Sequence, residues 1–98
     1  MAAPEILRAA RREANEAAAR YAAEDEDAAE RFIAELGRAY AEIVAHPDRW
    51  PAFEKDAHRF LLRGFPYSVI YRILDDNRVR ILAVAHQRRA PGYWHGRT

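Results

Sequence analysis

Residues 58–94 read H-R-F-L-L-R-G-F-P-Y-S-V-I-Y-R-I-L-D-D-N-R-V-R-I-L-A-V-A-H-Q-R-R-A-P-G-Y-W. Three β-type runs lie within this stretch. Residues 58–65 run up to Pro66, and residues 67–74 are dense in β-branched and aromatic side chains. Asp75-Asp76-Asn77 reads as a hairpin turn, because short polar side chains tolerate the left-handed backbone of tight turns. Residues 78–87 make the third run, ahead of the tail His86-Gln87-Arg88-Arg89 and Pro91-Gly92-Tyr93-Trp94. The expectation is a three-stranded antiparallel meander over about residues 58–88 and a tail over 89–98. Alternation places Tyr67, Val69, Tyr71 and Ile73 on one face, with Ser68, Ile70, Arg72 and Leu74 on the other. In the last run it places Val79, Ile81, Ala83 and Ala85 opposite Arg80, Leu82, Val84 and His86. Both faces carry apolar side chains. One is expected to bury against helices, and the other to be covered by a partner.

The upstream half supplies those helices. Pro4 suits a first helical turn, where its missing N–H costs nothing. From residue 5 to about 23, Ile6, Ala10, Ala14, Ala17 and Tyr21 recur at helical spacing as a narrow apolar stripe. Arg8, Arg11, Arg12, Glu13, Glu16 and Arg20 fall on the faces left to solvent. Asp27 followed by Glu30 resembles a capping box and predicts a second helix over residues 28–45. Phe32, Leu36, Ala39, Tyr40 and Ile43 share its apolar face, widened by Ile33 and Val44. Gly37 weakens it by about 1 kcal/mol relative to alanine, and Pro47 ends it. The predicted layout is a helix hairpin over about 4–46, a loop over 47–57 with Trp50 and Phe53 capping the core, and then the meander. This is an α+β domain with an antiparallel helix hairpin on one side of the sheet.

At 98 residues the chain holds a single domain, residues 1–98. Half of it is apolar, which separates it from disordered chains, although the many alanines predict a thin core. With no cysteine there is neither a disulfide framework nor a thiolate metal site, and a reducing cytoplasm is the expected compartment. No apolar run approaches the roughly 18 residues of a membrane span, and the N-terminus lacks a secretory pattern. The acids at 24–27 serve a helix start better than a metal, and His46, His58 and His95 have no ligand spacing. Neither a metal nor a cofactor is expected.

Charge divides the chain. Residues 1–56 carry 8 basic and 13 acidic side chains, a balance of −5. Residues 57–98 carry 8 arginines against Asp75 and Asp76, a balance of +6. Arginine without lysine favours bidentate contacts to carboxylate or phosphate, so the C-terminal half is suited to an anionic partner.

The helix hairpin, then H-P-D-R-W-P, R-F-L-L-R-G-F-P-Y-S-V-I-Y-R and R-I-L-A-V-A-H-Q-R-R-A-P-G-Y-W, resembles the RelE/ParE superfamily of bacterial toxins from type II toxin–antitoxin (plasmid stabilisation) modules. The likeness runs from Pro4 to Trp94. Members usually begin with a short β-strand. With only Met1 to Ala3 ahead of the predicted helix, that strand is expected to be vestigial or absent here. The resemblance implies a growth inhibitor neutralised by an antitoxin, ParD-like or RelB-like, with operator DNA met only through that antitoxin. Leu62, Ile70, Arg72, Leu82 and Val84 are the residues expected to meet the antitoxin. A ParE-like member poisons DNA gyrase by binding. Arg59, Arg63, Arg72, Arg88, Arg89, Tyr93 and Trp94 are then the expected contacts with target or nucleic acid. A RelE-like member cleaves mRNA on the ribosome, and His86, Arg88 and Tyr93 are then the expected catalytic groups. A third possibility is a non-toxic scaffold that only binds its antitoxin. With Lys55 as the single lysine and a net charge of +1, general attraction to the ribosome is weak, and the gyrase reading is preferred.

Overall fold

Seven elements follow one another in the computed structural model, which describes residues 3–98. They are β1 (Glu5–Ile6), α1 (Arg8–Glu24), α2 (Glu26–Ala45), β2 (Ala52–Glu54), β3 (Ala57–Leu61), β4 (Tyr67–Ile73) and β5 (Val79–His86). The strands form one sheet in the order β1-β5-β4-β3-β2. β1 runs parallel to β5, and every other pairing is antiparallel. The expected α+β class holds, but the sheet has five strands, because a short strand joins each edge of the meander.

Of the two outcomes expected for the first strand, vestigial or absent, the structure has the first: β1 is present with two residues. Pro4 precedes a strand and not a helical turn. Leu7 stays extended as the residue before α1, and its N–H donates to the Ile81 carbonyl at 3.1 Å. Ile6 packs on the main core, so the first member of the predicted helical stripe is a strand residue. Met1 and Ala2, part of the segment judged too short for a strand, lie outside the described residues. At the other edge β2 replaces part of the predicted 47–57 loop. Lys55 and Asp56, both at positive φ (52° and 59°), close a two-residue turn into β3. Asp25 caps α2, its carboxylate accepting from the Asp27 N–H at 3.0 Å. The predicted cap at Asp27 therefore falls inside the first turn.

Phe32, Leu36 and Ile43 of α2 and Ala10 and Ala17 of α1 bury against Phe60, Val69, Tyr71, Ile81 and Val84. Tyr21, Phe32, Phe65 and Tyr67 form an aromatic cluster there, with tilted and edge-on pairs 5.2–6.3 Å apart. Trp50 caps the core as expected, its ring 4.6 Å from Phe60. Tyr71 donates to the Pro47 carbonyl at 2.6 Å, and burial pushes its hydroxyl up to about 12.

The strict alternation expected for β5 fails at a bulge. Ile70 pairs with Ala83 but Tyr71 with Ile81, so Leu82 is an extra residue and the phase flips beyond it. Val79, Ile81 and Val84 therefore face the helices. Leu82, Ala83 and Ala85 join a second cluster with Ala57, Ile70 and Trp94 on the outer face. The tail covers part of that outer face. At Gly92 (φ 75°) the tail turns back and lays Trp94, 3% exposed, over it. Among the described residues no helix is long and apolar enough to cross a membrane.

Candidate target-binding site

The returning tail and the free edge of the sheet enclose a cleft of about 170 Å³ on the outer face. Its floor is Ser68, Ile70 and Ala85, and its walls include Phe53, Arg59, Arg89 and Trp94. Each part follows from the local fold. Arg59 alternates outward from Phe60 on β3, Ile70 lies opposite it on β4 with Ser68 opposite Leu61, and the tail brings Arg89 across. Phe53, expected to cap the main core, stands instead on the outer side. Its ring meets Trp94 at 5.8 Å, and the Arg59 guanidinium lies 5.0 Å from its centroid. Arg89 stacks on Tyr93 at 3.9 Å. Neither arginine has a carboxylate partner among the described residues. Two guanidinium groups are thus held against rings and left free for an external anion. At the rim His95 meets Glu54 at 3.2 Å.

Of the residues expected to contact target or nucleic acid, Arg59, Arg89, Tyr93 and Trp94 gather at this cleft. Arg88 follows β5 and is exposed. Arg72 is turned to the β2–β3 turn, donating to the Lys55 carbonyl at 2.8 Å. Arg63 stands apart, beside Glu35 and Arg38 of α2, where its backbone N–H donates to Glu35 at 2.6 Å.

Of the three groups named for RNA cleavage, His86 and Tyr93 line the cleft and Arg88 does not. His86 lies at the end of β5, its ring edge-on to Tyr67 at 5.0 Å. Its Nδ1 accepts from the Arg88 N–H at 3.0 Å. Tyr93 donates its hydroxyl to Glu13 at 2.8 Å, and burial, with the Glu13 carboxylate, pushes its ionisation well above the ordinary tyrosine value.

Glu13 was read as solvent-facing and is instead buried, 9% exposed. One carboxylate oxygen accepts from the Val84 N–H at 3.1 Å. Arg97 grips both oxygens, at 2.9 and 3.0 Å, and also donates to the Leu82 carbonyl at 3.0 Å. Burial alone would raise the Glu13 pKa, but the hydrogen bonds from Arg97, Tyr93 and Val84 outweigh it and hold the carboxyl below its ordinary value. Sequence reading missed Glu13, Arg97 and Ser68. A lone glutamate among arginines on a helix carries no local sign of burial, and its partners lie 71 to 84 positions away.

Four of the five residues expected to meet an antitoxin are buried within the chain. Leu62, Ile70, Leu82 and Val84 are exposed by 7%, 4%, 0% and 2%. The expectation assumed an uncovered sheet face, but the helices cover one face and the tail part of the other. Among the described residues the large apolar side chains that do face solvent are Ile33, Phe53 and Leu61. No group of three or more His, Cys, Asp or Glu suited to a metal occurs among the described residues.

The family described as the ParE toxin of the type II toxin–antitoxin system parDE matches residues 5–91. Among curated proteins none matches the chain.

Proposed function

The chain belongs to the ParE toxin family of type II toxin–antitoxin systems, and on that premise we propose that it arrests growth by binding DNA gyrase. A ParD-like antitoxin neutralises it, and no RNA is cleaved. The observation that carries this reading is the environment of Tyr93. For Tyr93 to give or take a proton in RNA cleavage, its hydroxyl must be free to reach the reacting oxygen. The Tyr93 hydroxyl is instead committed to Glu13 and made harder to ionise by burial and by that carboxylate. The same tail leaves Arg59 and Arg89 unpaired over an aromatic-walled cleft, a surface fitted for holding an anionic group of a partner.

The antitoxin meets a surface whose C-terminal half carries the +6 balance, so its neutralising segment is acidic. The test is to incubate the purified protein with gyrase and relaxed plasmid, and in parallel with translating ribosomes and a labelled message. The binding reading expects loss of supercoiling and an intact message. Site-specific message cleavage that disappears in His86→Ala would replace it with the nuclease reading.

A further inference from the structure

Ser68 is 7% exposed and lies on the floor of the cleft. Its hydroxyl takes part in none of the side-chain hydrogen bonds among the described residues, and no fully enclosed polar side-chain atom there lacks a partner. The hydroxyl is therefore open to the cleft, with a proton to donate. Arg59 pairs with Ile70 and Leu61 with Ser68, so Ser68 is the diagonal neighbour of Arg59, a separation that a long side chain spans. Arg89 joins from the tail. Two guanidinium forks and one hydroxyl thus share a single space. The rest of the lining is mostly apolar, with Ile70 and Ala85 below and Phe53 and Trp94 beside. Leu61, 68% exposed, lies next to Ser68 on the same outer face. Among the described residues Glu54 is the one acid at the cleft, and it is drawn to His95 at 3.2 Å.

On the reading that this cleft binds the target, we infer that what it takes is one glutamate or aspartate side chain from an acidic segment of the target protein, with Ser68 as the third donor. Size points to a single side chain. The cleft holds about 170 Å³, well under the roughly 300–1,000 Å³ of pockets that enclose a small molecule. Its lining decides between carboxylate and phosphate, the two anions that suit an arginine fork. A carboxylate arrives on methylene groups, which bury against Ile70, Ala85 and the two rings while the charge meets the donors. A nucleic-acid phosphate arrives between sugars, and sets polar groups without partners against that apolar floor. Binding of single strands also relies on rings free to stack on bases. Here the rings of Phe53 and Trp94 are turned on each other, 5.8 Å apart. Leu61 offers a seat for an apolar residue next to the acid.

The test titrates the isotope-labelled full chain with acetyl-Glu-Leu-amide, acetyl-Gln-Leu-amide, inorganic phosphate and a single-stranded oligodeoxynucleotide. NMR follows the side-chain N–H signals of Arg59 and Arg89 and the indole signal of Trp94. The glutamyl peptide is expected to shift these signals to saturation, and the glutaminyl peptide to leave them in place. Ser68→Ala is expected to bind the glutamyl peptide about tenfold more weakly. Its hydroxyl has no partner to lose in the free protein, so its denaturant midpoint is expected to match the parent's, which separates a lost contact from a damaged fold. In the gyrase supercoiling assay Ser68→Ala is expected to need about tenfold more protein for half inhibition. Equal response to the two peptides, parent-like peptide binding by Ser68→Ala, or saturation by phosphate or the oligonucleotide alone would overturn the inference. Glutamyl-peptide binding with gyrase inhibition unchanged in Ser68→Ala would overturn it too, by giving the acidic segment to another partner. The titrations contain no gyrase. A parent that fails to inhibit gyrase therefore overturns the gyrase reading, while the peptide result still decides the chemistry of the cleft.

Discussion

Glu13 lies between Arg12 and Ala14 on a helix rich in charged residues, yet it receives four hydrogen bonds from three partners. Removing Arg97 leaves that carboxylate buried without its cation. Arg97→Ala is therefore expected to lower stability by about 2–3 kcal/mol in urea unfolding at neutral pH. The same site makes stability depend on acid. The folded pKa of Glu13 lies below its ordinary value of 4.5, so the folded state binds the proton more weakly than the unfolded one. Its contribution is complete above that value and is lost as pH falls through the folded pKa. Urea midpoints measured from neutral pH to below 4.5 are expected to fall less in Glu13→Gln than in the parent. Equal acid sensitivity in the two would assign the effect to other carboxylates.

The β2–β3 and β4–β5 turns set the limits of the meander, and both use non-glycine residues at positive φ. Lys55 and Asp56 stand at 52° and 59°, and Asn77 at 65°. Asparagine tolerates this conformation, whereas lysine does so at a cost. Replacing Lys55-Asp56 by Asn-Gly is expected to raise stability by about 0.5–1 kcal/mol, read as a higher denaturant midpoint with unchanged slope. The elements also show what sequence pattern conveys. α2 and β4 were readable because period 3.6 and period 2 both span enough residues to be unambiguous. β1 was not, since Ile6 fits the helical stripe of Ala10 and Ala17 as well as it fits a strand. β2 has three exposed residues and no alternation to detect. The bulge at Leu82 changes the facing of Ala83 and Ala85 without any mark in an unbroken apolar run.

On the scale of the whole molecule, the tail joins the two ends of the chain through Glu13 and Arg97 and covers part of the outer face of the sheet. Arg89, Tyr93 and Trp94 were legible as candidate residues because an arginine-rich, aromatic strand end stands out in the sequence, and Arg59 because arginines recur along the strands. Their convergence on one cleft depends on the turn at Gly92, where any side chain meets both a positive φ and the His95 ring. Gly92→Ala is expected to cost about 1 kcal/mol from the backbone conformation alone, and the two-dimensional NMR spectrum should show the shifts confined to Phe53, Trp94 and His95. The claim that this cleft holds the target is tested most directly by Arg59→Ala combined with Arg89→Ala in a gyrase supercoiling assay. The double variant is expected to need at least about tenfold more protein for half inhibition while its denaturant midpoint is unchanged. Inhibition at the parent's concentration would contradict the assignment of the cleft.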